Sequence, residues 1–191
     1  MKTACRTHGM CTIYEIKQPQ ERLDLARGCT CSDAVLDRIC PVGAPVLTRG
    51  TYDDARGAKG ERPGTFKKGD YRVADDVGAA PEEVPGLVKA LAAEVQEALL
   101  SESAEKNALT IAAYLHAQLV DIHPFADGNG RTARLLMNYV LLKLNGAPCT
   151  ISADDRLAYF GALDAFHQEG ELVPFIDFCR IQTLKTWEQL L

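Results

Sequence analysis

Along the last two thirds of the chain, apolar residues recur at spacings of three and four, the period at which an α-helix turns one face inward. The stretch PEEVPGLVKALAAEVQEALL (81–100) opens with Pro and acidic residues and then keeps that period, which predicts a first long helix. NALTIAAYLHAQLVDI (107–122) predicts a second, with Leu109, Ala112, Ala113 and Val120 on one side. RTARLLMNYVLLKLNG (131–146) is apolar on most sides and is expected to be the central buried helix. Asn145-Gly146 with Pro148 is its stop signal. Ser152 can cap a fourth helix through ADDRLAYFGALDAFH, and ELVPFIDFCRIQTLKTWEQLL supplies one or two more.

The pattern changes near residue 66. Upstream, GTYDDARGAKGERPGTFKKGD is rich in glycine and charge, carries little helical period, and reads as loop. The one strand candidate of the core is DYRVADDV (70–77), short and alternating, which suggests a small hairpin. There is no internal repeat. The expected class is mainly α, with residues 1–60 as a Cys-rich, loop-rich N-terminal extension and residues 61–191 as the helical domain.

Composition adds bounds. At 191 residues and 20.8 kDa, one domain with one core is expected. Apolar residues make up 47% and charged residues 25%, which argues against disorder. A net charge of -5 argues against a general nucleic-acid-binding surface, so any anion must be held by a local site. The N-terminus lacks the apolar core of a secretion signal, and LLMNYVLLKL (135–144) is too short to cross a bilayer. A cytoplasmic protein with no membrane partner is the expectation. Seven cysteines (Cys5, Cys11, Cys29, Cys31, Cys40, Cys149 and Cys179) form an odd set. Their spacing, with His8 between the first two, matches no standard zinc site, and they read as free thiols.

Candidate chemistry concentrates in HPFADGNGRTAR (123–134), between the second and third helices. Gly128-x-Gly130-x-x-Ala133 formally matches a dinucleotide fingerprint, but that motif works only after a strand in a βαβ unit, and the preceding segment is helical. A Walker-type phosphate loop is absent. Gly128, Asn129 and Gly130 can turn successive N–H groups inward as an anion nest. The helix that follows aims its unpaired N–H groups and dipole at the same spot. Arg131 and Arg134, three apart, add two guanidinium forks suited to a polyphosphate. Asp127 can hold the Mg²⁺ that accompanies nucleotide phosphates, and His123 can accept a proton from an attacking hydroxyl. Taken singly, each residue has an ordinary structural use: His123 as a helix cap, Asp127-Gly128 as a turn, Phe125 as core packing, Arg134 as a salt-bridge partner. A structural loop has no reason to collect all of them. His116 reads as a core or supporting histidine, and no chemistry is assigned to it.

This stretch resembles the signature of Fic-domain proteins, H-P-F-x-[DE]-G-N-G-R-x-x-R, and matches it at every fixed position. The resemblance spans roughly residues 65–180. It implies a Fic-type helical bundle with a small β-hairpin flap, and transfer of AMP from ATP to a Ser, Thr or Tyr hydroxyl of a target protein. In that reading His123 is the base and Asp127 binds Mg²⁺ bridging the α- and β-phosphates. Asn129, with the N–H groups of Gly128 and Gly130, holds the α-phosphate. Arg131 and Arg134 clamp the β- and γ-phosphates, and the Phe125 ring anchors the loop. The segment near Tyr71–Val77 corresponds to the flap that pairs with the target backbone by strand addition. In the Doc-like phosphotransferase branch the acidic motif position is typically Lys, so Asp127 argues for adenylyl transfer. A silent nucleotide-binding module is the other alternative. Many Fic proteins carry an inhibitory helix with [ST]-x-x-x-E-[GN]. The one Ser or Thr with Glu four residues on is Ser101 with Glu105, followed by Lys106. That reads as helix capping, so restraint is expected from a separate small, antitoxin-like partner if it operates at all.

Overall fold

The structure is a computed structural model and describes residues 52–73 and 76–188, with the hairpin residues 72, 73, 76 and 77 described by their backbone alone. The extension expected for residues 1–60 falls outside the described residues up to residue 51, along with five of the seven cysteines.

Five long helices make the fold. Helix α1 is a five-residue turn, Asp54–Ala58, and a hairpin follows in which β1 (Arg72–Val73) pairs antiparallel with β2 (Asp76–Val77). Then come α2 (Val84–Leu100), α3 (Ala108–Ile122), α4 (Asn129–Lys143), a 3₁₀ turn at Ala153–Asp155, α5 (Arg156–Glu169) and α6 (Val173–Glu188). The class is mainly α, as the apolar period predicts. Among the described residues, no helix is long and apolar enough to cross a membrane.

The predicted boundaries hold with three adjustments. Helix α2 starts at Val84 because residues 81–83 form a turn, which leaves Pro85 in the first helical turn where its missing N–H costs nothing. Helix α4 starts two residues early, at Asn129, with Gly128 at φ 86° as its cap. It stops as Asn145-Gly146 suggests. Asn145 takes φ 58°, its N–H reaches the Leu142 carbonyl at 3.3 Å, and the Gly146 N–H reaches the Leu141 carbonyl at 2.7 Å. This pair of bonds satisfies carbonyls the helix end would leave open. Ser152 caps as expected, its hydroxyl accepting from the Asp154 N–H at 3.3 Å, though the first turn is 3₁₀.

The expectation of α4 as the central helix is corrected. Helix α3 takes that place: it packs against α2, α4, α5 and α6, whereas α4 packs mainly on α3. The reason is residue size. Ala112, Ala113 and Ala117 are buried on α3 and let neighbours approach closely from several sides. Phe125, Phe175, Leu119, Leu136, Met137 and Val140 fill the core around it.

The loop reading of residues 50–70 is corrected in part. Asp53 caps α1 by accepting from the Arg56 N–H at 2.8 Å. Beyond it, Glu61 and Lys67 are buried, at 4% and 2% exposure, although the composition suggests a solvated segment. Glu61 Oε1 accepts from the Lys68 N–H (2.8 Å), the Gly69 N–H (3.2 Å) and the Tyr71 hydroxyl (3.0 Å). One carboxylate thus ties the segment that leads into the hairpin.

Candidate active site

Six residues, 123–128, connect α3 to α4, and both ends of the connection are left-handed. His123 caps α3 with φ 51° and ψ 59°, its N–H bonded to the Leu119 carbonyl at 3.2 Å. A non-glycine residue with positive φ is uncommon, and its occurrence at the motif histidine marks a position held by its surroundings. Those surroundings are specific. The Ala79 N–H bonds the Ile122 carbonyl at 3.1 Å, and the Lys67 N–H bonds the Pro124 carbonyl at 2.9 Å. Gly78 leaves the hairpin directly against His123: a Cβ there would lie 2.4 Å from the His123 Cβ. Both arms of the flap are therefore fastened to the motif loop.

The loop is also fastened from within. Asn129 is 3% exposed, and its Oδ1 accepts from the Phe125 N–H at 2.8 Å while its Nδ2 donates to the Phe125 carbonyl at 2.7 Å. Phe125, fully buried, stacks on Phe66 with centroids 6.0 Å apart. Sequence reading gives Phe125 its anchoring place. It gives Asn129 a phosphate contact, whereas the carboxamide is engaged at both ends by the Phe125 backbone.

At the mouth of α4, Asp127 Oδ1 accepts from the Gly128 N–H at 2.7 Å, and Asp127 Oδ2 lies 3.3 Å from Arg131 Nη2. The two motif arginines take different partners. Arg134 folds back across the turn, so that a Cβ on Gly130 would sit 3.3 Å from Arg134 Nη1. Gly130 thus leaves room for a guanidinium over the helix start, where the dipole also favours an anion.

Electrostatics favour a neutral His123. Burial is the main cause of a pKa pushed down to about 4, the Lys67 cation adds to it, and Asp127 opposes it. Among the described residues, His123 Nδ1 and Lys67 Nζ are buried without a hydrogen-bond partner. A cavity of about 130 Å³ reaches His123 between α3 and α5, walled by Val120, Phe160, Leu163 and Phe166.

Four contributions to the site were not legible in the sequence: Glu61, Lys67, Gly78 and Tyr159. Lys67 and Glu61 sit in a segment whose composition signals solvent, and no period reveals that their side chains turn inward. Of the remaining histidines, His116 is fully buried and His167 pairs with Asp121. Cys149 and Cys179 are buried free thiols, as expected of them. Glu105 accepts from Asn145 Nδ2 at 3.0 Å. That places it at the far end of α4 from Arg134, eleven residues or roughly 16 Å along the helix axis. Ser101 closes α2, its hydroxyl donating to the Ala98 carbonyl at 2.8 Å. The Ser101–Glu105 segment is capping, as read.

The fold and the loop together define a helical domain in which a left-handed histidine and a glycine-capped helix start share one six-residue connection. The comparisons agree. The profile of the Fic/DOC family matches residues 44–141, just over half of the chain, and the chain belongs to that family. A protein adenylyltransferase Fic of Nematostella vectensis is 38% identical over 124 residues, covering 64% of this chain and 28% of the relative. One of Drosophila persimilis is 41% identical over 103 residues, covering 53% and 20%. The chain thus spans between a fifth and three tenths of the length of these relatives. Among solved structures, Fic-1 of C. elegans superposes with a TM-score of 0.63 at 25% identity, covering 88% of this chain and 48% of that one. A Fic domain containing signaling protein of Bacteroides thetaiotaomicron gives 0.62 at 22% identity, covering 85% and 63%.

Proposed function

We propose that this chain transfers AMP from ATP to a side-chain hydroxyl of a target protein. The carrying observation is the complete motif folded into one rigid connection, with His123 at its entrance and the α4 N-terminus at its floor. Relatives named as protein adenylyltransferases support the choice of donor. His123 takes the hydroxyl proton on Nε2, the free side of its ring. The hydroxyl oxygen bonds to the α-phosphorus as the bond to the β-phosphate oxygen breaks, and pyrophosphate leaves. Burial beside Lys67 keeps the imidazole unprotonated and ready to act as a base at neutral pH.

The N–H groups at Gly128–Gly130 and the α4 dipole bind the phosphates, with Arg131 and Arg134 on the β and γ groups. Asn129 contributes by holding the loop in shape through Phe125. Asp127 is a partly exposed carboxylate at the anion site, which suits Mg²⁺ held jointly with nucleotide phosphates. The metal would neutralise charge on the leaving phosphates; Asp127 exchanges its contacts with Gly128 and Arg131 for it. The hairpin at 72–77 offers main-chain groups to an extended target segment, and its attachment to His123 through Gly78 sets the attacking hydroxyl near the base. The helical catalytic unit is residues 61–191, with 1–60 as an extension that phosphate binding does not require. Any restraint is supplied by a separate small protein.

The test separates chemistry from binding. His123→Ala should abolish transfer while calorimetry shows ATP affinity within about twofold of the parent, because the loss of a general base costs about 10²- to 10⁴-fold in rate and no phosphate contact. Transfer near the parent level in that variant would remove His123 from the chemistry.

A further inference from the structure

Arg134 is held from behind by groups that no part of the motif supplies. Its guanidinium lies over Gly130, with Nη1 at 3.3 Å and Cζ at 3.9 Å from the position of a Gly130 Cβ. On its other side it reaches the hydroxyl of Tyr159, a residue of α5 that is 6% exposed. The same hydroxyl lies 3.4 Å from Nε2 of His116, which is fully buried on α3. The His116 ring is boxed by Phe175 at 4.9 Å and meets Tyr159 edge-on at 5.8 Å. Tyr159 in turn packs against Phe160 and Phe178. Three elements therefore converge on one guanidinium.

Proton bookkeeping gives this chain a direction. A guanidinium only donates, so the Tyr159 oxygen accepts from Arg134 and its own proton must go elsewhere. The acceptor within reach is His116 Nε2. His116 is neutral, its pKa pushed down to about 3 by burial and then by the Arg134 charge. Its proton accordingly sits on Nδ1, which has no partner among the described residues. An unsatisfied buried donor costs about 1–3 kcal/mol, so a histidine at this place is poor packing for the core alone. It is explained if the residue serves Arg134.

We propose that Tyr159 and His116 are positioning residues for the second motif arginine, fixing its guanidinium over Gly130 so that it meets the terminal phosphates of a triphosphate. The inference rests on the nucleotide reading given above and deepens it: preference for ATP over AMP depends on a hydroxyl on α5 and an imidazole on α3, both outside the motif. A guanidinium free to rotate would lose part of its contact entropically; one aimed in advance keeps it.

The experiment uses the full chain in a His123→Ala background, which prevents turnover, and measures affinities for ATP and AMP with Mg²⁺ by calorimetry. Tyr159→Phe keeps the ring and its packing. It should weaken ATP about tenfold, the scale of one hydrogen bond to a charged group, and leave AMP unchanged. His116→Phe should act in the same sense, and His116→Gln, whose amide oxygen can accept from Tyr159, should restore ATP affinity. Parent-like ATP affinity in Tyr159→Phe would overturn the inference, as would equal weakening of ATP and AMP, which would mean a general structural role. If the chain with Tyr159 and His116 intact fails to bind ATP, the nucleotide reading falls and this inference with it; if it binds and the variants do not differ, only the inference falls.

Discussion

Replacing Asn129 with Ala separates a loop staple from a ligand contact. The side chain makes two buried hydrogen bonds to one residue, from the Phe125 N–H at 2.8 Å and to the Phe125 carbonyl at 2.7 Å. Phe125 is fully buried, so water cannot replace either bond without opening the loop. A neutral hydrogen bond is worth about 1 kcal/mol net, and each buried group left unsatisfied costs about 1–3 kcal/mol. Asn129→Ala should therefore destabilise the domain by about 2–5 kcal/mol. For a domain of this size that is a fall in melting temperature of roughly 5–15 °C, at about 2–4 °C per kcal/mol. Asn129→Asp sharpens the point: a carboxylate can still accept from the N–H but presents an oxygen to the Phe125 carbonyl, so it should be at least as damaging. Urea denaturation followed by circular dichroism, with and without ATP, measures both. A loss below about 0.5 kcal/mol, within the ordinary range of surface substitutions, together with lost ATP affinity would refute the staple and return Asn129 to direct phosphate contact.

Other expectations follow from the same geometry. Gly78→Ala places a Cβ 2.4 Å from the His123 Cβ and 2.9 Å from the Ile122 carbonyl oxygen, so backbone must move. Overpacking of this kind costs about 1–3 kcal/mol, and transfer should fall more than tenfold while ATP affinity stays; unchanged transfer would detach the flap from the base. Asp127→Ala should abolish the gain in ATP affinity that Mg²⁺ gives the parent, read as affinities in Mg²⁺ and in EDTA; an undiminished gain would remove Asp127 as the metal ligand. The pH dependence of stability comes from His116 and His123, whose pKa values of about 3 and about 4 lie below the unfolded value near 6.5. The folded state binds these protons less readily, so their contribution is complete above pH 6.5. It is lost as pH falls, at about 1.4 kcal/mol per unit per histidine, down to about pH 4 for His123 and pH 3 for His116. His116→Gln should flatten that slope between pH 6 and 4 in urea titrations, and an unaltered slope would contradict it.

Much of this site is local in sequence and was legible there. His123, Asp127, the Gly128–Gly130 turn and the two arginines fall within twelve positions, and their residue types state their chemistry. Helix positions were legible for the same reason: apolar period reports which face is buried. Period does not report which helix is innermost, because that depends on how closely neighbours approach. The alanines of α3 decided it, although the greater apolarity of α4 suggested otherwise. Nor does sequence reveal contacts between distant segments. Lys67, Glu61 and Gly78 act on the motif loop through backbone bonds and burial, from a stretch whose charge and glycine content resemble solvated loop. Tyr159 and His116 reach Arg134 from two other helices, and nothing in their local pattern distinguishes them from core aromatics.

The central claim is that the α-phosphorus of ATP is the atom transferred. Incubating the protein with candidate targets and ATP labelled at either the α- or the γ-phosphate tests it directly. The account predicts protein-bound label from the α position only, released pyrophosphate in equal amount, and no label when His123 is replaced by Ala. Label from the γ position would mean phosphorylation, and absence of both would leave a nucleotide-binding module; either result contradicts the account.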